Sequence, residues 1–483
     1  MERQNESKRR AVAGTRDADQ RTGRKAGASE SISRRTALTT IGVGLTGAVV
    51  GFSGTVSADE FAGGSGTEQD PYQIETWGQL ENVTSNMDDQ FVLIDDLDEE
   101  TAGYDDYAAP SANGGEGWDP IGTSTWRFDG TLDGNGHTIS GLAIDRTGTG
   151  DDYIGLFANI GFDGEVTNLH VDVPGVTGRN NVGIIAGGSG GEITDCSANG
   201  AVTAEDQYQA DFAGGLVGRN DGSIVDSHAT GPVTGDITVG GLVGKNNGSI
   251  TNASATGIVE GAMSFLGGLV GENTGTISKS WATGDVSDID LSWTSTGVGG
   301  LVGKNSDDGV IENSYARGSA TINGNDNVGA LVGENVQQAE IRTSYATGAA
   351  SGPLANEGGV AGLNQATVED VYYNSDVMDS AFGEVDGGTG SGTGLSTDEM
   401  QGASAEDEMD DLDFDGTWTT TDGYPELAAE DDDESPLEPY TNEDGVVETD
   451  GLRDAIDNWR GSEIDTDLLR DVIDAWRSGD PVS

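Results

Sequence analysis

From Val182 to Val368 the chain repeats one arrangement of apolar, small and polar positions. It is clearest at Gly214–Val233 (GGLVGRNDGSIVDSHATGPV), Gly240–Val259 (GGLVGKNNGSITNASATGIV) and Gly267–Val286 (GGLVGENTGTISKSWATGDV). Looser copies begin at Val182, Gly299, Gly329 and Gly358, and Ile154–Ala158 resembles the first. A unit of roughly 26 to 32 residues, seen about eight times, signifies a solenoid or array rather than a globular domain.

Alignment of the copies gives columns. A Leu column (Leu156, Ile184, Leu216, Leu242, Leu269, Leu301, Leu331) is followed four positions later by Asn220, Asn246, Asn273, Asn305, Asn335 and Asn364. An Ile column comes next (Ile193, Ile224, Ile250, Ile277, Ile311, Ile341, closed by Val368). Three columns at a spacing of two end the unit: a small one (Cys196, Ser227, Ala253, Ser280, Ser314, Ser344), then Ala, then Gly. A period of two is one face of a strand, and tiny residues there require close approach to another backbone. An inward Asn is tolerated only with its amide paired, which identical rungs stacked on each other provide. The predicted fold is all-β: a parallel, right-handed β-helix with rungs about 4.7–4.9 Å apart. An N-terminal α/β cap and a small C-terminal two-helix module complete it.

These residues resemble the GLUG-repeat family, named for its Gly-Leu-aliphatic-Gly core, over about Tyr72 to Leu427. The resemblance implies secreted or surface-exposed repeat modules, often in adhesin-like proteins, with no fixed catalytic residues.

One position beyond the small column the side chain should face outward: Ser197, His228, Ser254, Trp281, Tyr315, Tyr345, Tyr372. The last four form an aromatic stripe. Either it is a platform for glycan rings, joined by Trp293 from the long loop at 288–298, or the rings only stack on one another.

Charge changes the picture of the environment. The 483 residues contain 85 Asp and Glu against 23 Lys and Arg. The first 58 residues hold ten of the bases and five of the acids, leaving 13 bases and 80 acids for the rest. Such self-repulsion is screened in molar salt, where the Debye length falls to about 3 Å. The balance looks like that of an extreme halophile's protein and excludes nucleic acid as a partner. The lone Cys196 permits no intrachain disulfide and sits in the small column as a packing residue.

At the start, Ser33-Arg34-Arg35-Thr36-Ala37-Leu38, a weakly apolar run and Val56-Ser57-Ala58 follow the layout of an export signal. Arg34 and Arg35 resemble a twin-arginine signal, which implies export through that route, cleavage after Ala58 and no membrane span in the mature chain. A retained anchor helix is the alternative. Residues 59–150 are expected to form the cap and lead-in rungs, where Thr76 and Gln79 fit a helix capping box. The solenoid follows at 151–373, a closing segment at 374–427 and an acidic linker at 428–439.

Residues 440–483 contain two amphipathic helical patterns related by a 17-residue shift, Asp450–Arg460 onto Asp467–Arg477. The pair resembles a degenerate dockerin, with Asn442, Asp444 and Asp450 as candidate Ca²⁺ ligands. A metal-free helical hairpin that docks a protein partner is the other reading.

No catalytic residues stand out. Acids are too frequent for paired carboxylates to be informative, and His137, His170 and His228 lack metal-ligand spacing. The sequence therefore points to a binding, adhesion or surface-structural protein at the cell surface or outside the cell, with polysaccharide as the candidate partner. A polysaccharide-active β-helix enzyme, lyase or glycoside hydrolase, is the rival.

Overall fold

The computed structural model describes residues 61–148, 152–204, 212–289, 296–323 and 326–428. Every described residue belongs to one unit, Ala58–Ser483. Arg34, Arg35, Ala58, Trp293 and the tail with Asn442, Asp444 and Asp450 lie outside the described residues.

The repeat folds as predicted, into a parallel β-solenoid. In the rung that begins at Phe265, the chain runs through strands Phe265–Gly267, Val270–Asn273, Thr276–Ser278, Trp281–Ala282 and Val286–Asp288. Corresponding strands of successive rungs pair in parallel, giving one ladder of eight strands, one of nine, and a third sheet that takes in the remaining strands of each rung. Register is strict: Asn246 pairs with Asn273 and Asn273 with Asn305, Ile250 with Ile277, and Ala255 with Ala282. Among the described strands, only Trp418–Thr419 and Glu426–Leu427 pair antiparallel.

The columns fill the interior. Leu216, Leu242, Leu269, Ile224, Ile250 and Ile277 are fully buried, and so are Asn220, Asn246, Asn273, Asn305 and Asn335. Each Asn amide donates to the next: Asn220 to Asn246 (2.8 Å), Asn246 to Asn273 (2.8 Å), Asn273 to Asn305 (2.9 Å), Asn305 to Asn335 (3.1 Å) and Asn335 to Asn364 (3.0 Å). The ladder meets the hydrogen-bonding need that burial imposes.

The Ala and Gly columns meet backbone in different directions. A methyl group on Gly241 would lie 2.9 Å from Ala255 Cβ, across the rung, and the same holds for Gly268 and Ala282 at 3.0 Å. A side chain on Gly257 would strike the Gly231 carbonyl at 1.9 Å, so this close approach is between rungs.

The small column has a chemical role that size alone does not reveal. The hydroxyl of Ser280 donates to Ser278 O at 2.7 Å and accepts the Ala253 N–H of the preceding rung at 3.1 Å; Ser314 and Ser344 accept from Ser280 N and Ser314 N in the same way. The residue before each is left-handed, Asp195, Asp226, Asn252, Lys279, Asn313 and Thr343, as is Asp370 before Val371 on the following rung, with φ of 44° to 53°. Asp and Asn tolerate this corner best, which accounts for their frequency there. Cys196 is buried in the same column; its Sγ donates to Thr194 O at 3.2 Å, and burial pushes the thiol pKa up to about 12, so it is a packing residue.

At the N-terminal end, helix Trp77–Asn82 starts at Thr76, and Thr76 and Gln79 form both bonds of a capping box. Trp77 and Leu80 are buried, with Trp77 packed 6.0 Å from Trp118. Strands Tyr72–Ile74, Gln90–Leu93 and Thr131–Asp133 pair in sequence and lead on to Glu165–Thr167, so the cap is continuous with the rungs. No described helix is long and apolar enough to cross a membrane.

Some of the scarce cations link one rung to the next. Lys245 Nζ lies 2.9 Å from Glu272 of the next rung, which also faces Lys304 at 4.0 Å. Arg342 Nη2 bonds Glu312 at 2.6 Å.

Candidate functional site

The outward column of the third sheet runs Thr138, His170, Ser197, His228, Ser254, Trp281, Tyr315, Tyr345, Tyr372 on consecutive rungs. Strict parallel register puts these side chains in a row, each above its counterpart.

The aromatic part stacks. Trp281 and Tyr315 have ring centroids 5.8 Å apart and planes 4° apart, and Tyr315 and Tyr345 are at 5.1 Å and 5°. The expected row of rings is therefore present, but its surroundings differ from expectation. Tyr315, Tyr345 and Tyr372 are only 4%, 0% and 2% exposed, and Trp281 is half-buried. Residues 395–427 fold over them. Leu395, Met400, Ala405, Met409, Leu412 and Trp418 are buried together with the three tyrosines in a second core, separate from the interior of the solenoid.

Polar contacts tie this cover down. Arg317 Nη2 donates to Pro425 O at 2.8 Å and to Tyr345 Oη at 2.9 Å, while Nη1 lies 3.2 Å from Glu426. The Tyr345 hydroxyl donates to Pro425 O, and the Tyr372 hydroxyl donates to Asp411 Oδ2 at 2.9 Å. The Arg317 guanidinium lies 4.5 Å from the Tyr315 ring centroid, a cation–π contact. Burial raises the Tyr315 pKa to about 12, against the pull of Arg317, and raises those of Tyr345 and Tyr372 as well. Trp418 packs tilted on Tyr315 and Tyr345 at 6.0 and 5.5 Å, with its indole N–H buried and without a hydrogen-bond partner among the described residues.

The earlier half of the column is polar. His170 Nδ1 lies 2.8 Å from Ser197 Oγ, and His228 is the strand-register partner of Ser197 on the following rung. The sequence shows these two histidines in separate segments; one-per-rung spacing brings them to the two sides of one serine. Partial desolvation of the ring, which is still open to water on its outer side, and then His170 hold the His228 pKa below the ordinary value. His137 is elsewhere, 3.1 Å from Asp96. Among the described residues, no group of three or more His, Cys, Asp or Glu is placed to hold a metal.

Comparison with known proteins agrees with the repeat. The family model described as "The GLUG motif" matches residues 235–260 and 294–323, supporting the GLUG-repeat resemblance. The chain is 39% identical over 166 residues to halomucin of Haloquadratum walsbyi, a match covering 34% of this chain and 2% of that protein. It is 38% identical over 151 residues to a candidate Gly-rich membrane protein of Evansella cellulosilytica, covering 30% of this chain and 16% of the relative. The chain thus spans a small part of either relative's length. A solved structure from Bacteroides ovatus, a candidate immunoglobulin A1 protease, is similar at 19% identity and a TM-score of 0.34, over 76% of this chain and 95% of the other.

Proposed function

We propose that the chain is an extracellular, salt-adapted binding or adhesion protein, or a structural component of the cell surface, built on a GLUG-repeat solenoid. The observation that carries this reading is the division of labour within each rung. The inward columns hardly vary, while the outward residues left at least partly open to water differ from rung to rung: His170, Ser197, His228, Ser254 and Trp281. A constant interior with a variable exterior is the design of a scaffold that displays side chains, and solenoids use such extended surfaces for binding.

The acidic balance, 85 acids against 23 bases, supports work in concentrated salt, which screens its self-repulsion. The relatives named for a mucin and for a membrane protein support a place at the cell surface. Export through the twin-arginine route by Arg34 and Arg35, cleavage at Ala58, and a tail that binds calcium or a protein partner are parts of the same proposal. Glycan recognition at the stripe falls to Trp281, the ring least covered by residues 395–427.

The test uses the chain from residue 59 onward, purified in molar salt and mixed with cell envelopes. Saturable attachment is expected, with no release of reducing sugar. Release of sugar or unsaturated uronides would favour the lyase or hydrolase reading, and absence of attachment would remove the adhesion reading.

A further inference from the structure

We propose that Trp126, the pocket beside it and Phe162, joined to that pocket by Arg127, form a binding site for a neutral polysaccharide; this gives the binding reading above a ligand class and rests on it. The two rings are 71% and 72% exposed, whereas Trp77, Trp118 and Trp418 are buried. What sets these two apart is that Arg127, next to Trp126 in the chain, stands over the Phe162 ring, so two open aromatic faces and a guanidinium share one patch on which a ligand can stack.

The Trp126 loop is anchored at both ends and bonded within itself. Ile121 bridges to Phe157 and Phe128 to Ile160, so residues 122–127 project between two fixed points of the first rungs. Within the projection, Thr123 N donates to Trp126 O at 2.6 Å, and Trp126 N donates back to Thr123 Oγ1 at 2.9 Å. A ring presented on a pinned turn loses little freedom when it binds. Phe162 occupies the turn just beyond Ile160, and the Arg127 guanidinium stands 5.6 Å from its ring centroid. Beneath it Gly190 leaves room: an added methyl group would come within 3.2 Å of the Phe162 ring.

Beside Trp126 is a cavity of about 320 Å³ lined by Thr84, Ser85, Met87, Asp88, Arg127 and Asp129, among others. Hydroxyls, two carboxylates and one guanidinium around an open ring suit a pyranose, whose C–H face stacks while its hydroxyls donate and accept. At the cavity itself Asp88 and Asp129 outnumber Arg127, and at contact distance, where salt screens least, they disfavour uronate or sulfated chains. Hydrogen bonds from neutral hydroxyls to charged groups also persist in salt that screens ion pairs.

The test titrates the chain from residue 59 onward in molar salt with cellohexaose, mannohexaose, chitohexaose and, as the charged control, hexagalacturonate. Binding is read by calorimetry and tryptophan fluorescence. At least one neutral hexasaccharide should bind, and hexagalacturonate should not. Trp126→Ala should weaken binding about tenfold or more with an unchanged Tm, Phe162→Ala and Asp129→Asn should weaken it less, and Trp126→Tyr should retain most of it. The proposal is overturned if no neutral probe binds the unaltered chain, if hexagalacturonate binds best, or if Trp126→Ala binds as tightly as its parent. Envelope attachment separates the two readings. Equal attachment by the parent and Trp126→Ala overturns this site and leaves adhesion standing, whereas no attachment by the parent removes both.

Discussion

The outward column of the third sheet has two halves built on the same backbone. From Thr138 to Ser254 it is polar and partly or largely open to water; from Trp281 to Tyr372 it is aromatic and mostly covered. Behind both halves the interior is the same, with Asn246 buried in the Ser254 rung and Asn305 in the Tyr315 rung. The difference is residues 395–427, which lie over the later rungs and place Met400, Met409 and Trp418 against the tyrosines. Side-chain choice on the outside of a rung thus follows what lies over it, whereas choice on the inside follows the rungs above and below. The aromatic row is in large part an internal docking surface for the chain's own closing segment.

The largest effect expected from breaking this contrast is at Tyr345, which is fully buried and bonded to both Arg317 and Pro425. Tyr345→Ala should destabilise the covered half by about 3–5 kcal/mol, the range for a large buried ring. His228→Ala, at an exposed position of the same column, should stay within about 0.5 kcal/mol. Denaturant titration in molar salt, followed by tryptophan fluorescence, measures both. Equal costs at the two positions would mean that the segment contributes no burial.

Alkaline pH should separate the halves without any substitution. The Tyr315 pKa rises from the ordinary 10.0 to about 12 through burial, so between these values the folded state binds more protons than the unfolded chain. The stability from this neutral phenol is complete below about pH 10 and lost as pH climbs through about 12, worth about 2–3 kcal/mol at 1.36 kcal/mol per unit. Tyr345 and Tyr372 shift in the same direction. Proteolysis within residues 395–427 should therefore increase above pH 10 while the circular dichroism of the rungs persists. Simultaneous loss of both signals would show that cover and rungs unfold as one.

The interior should not distinguish the halves. Asn246→Leu removes the acceptor of Asn220 and the donor to Asn273; Asn305→Leu does the same to Asn273 and Asn335. Each should cost about 1–3 kcal/mol per group left unpaired, and the two variants should match. A much larger cost at Asn305 would mean that the cover also supports the interior, coupling the two faces of the sheet.

What the sequence made legible follows the same line. Leu, Asn, Ile, Ala and Gly recur at fixed offsets because each meets its own kind on the next rung, so their partners are readable from the period. The closing segment has no period: Leu395, Met400, Leu412 and Trp418 meet rungs far back in the chain, and local spacing does not connect them. One signal was available, the switch from Ser254 to Trp281, which coincides with these apolar residues in an otherwise polar segment. The left-handed corner was also visible as the Asp and Asn before each small residue, although Lys279 and Thr343 break that pattern. Trp126 and Phe162 lie outside the repeat, and only the structure shows that they are exposed.

The smallest effect extends the boundary by one rung. Ser254 pairs with Trp281 in register, so Ser254→Tyr would place a fourth ring on the stack formed by Trp281, Tyr315 and Tyr345. Ring-on-ring contact between neighbouring strands contributes about 0.2–1 kcal/mol, and nothing further should be gained if the new ring lies beyond the segment's cover. Stacking alone would thus raise stability slightly, while the burial that makes Tyr345 costly to remove would be missing. A double-mutant cycle of Ser254→Tyr with Trp281→Ala isolates the coupling. A coupling within about 1 kcal/mol is expected for an open stack. A value near the cost of Tyr345→Ala would place Ser254 under the cover, and the division between the halves would move one rung toward the N-terminus.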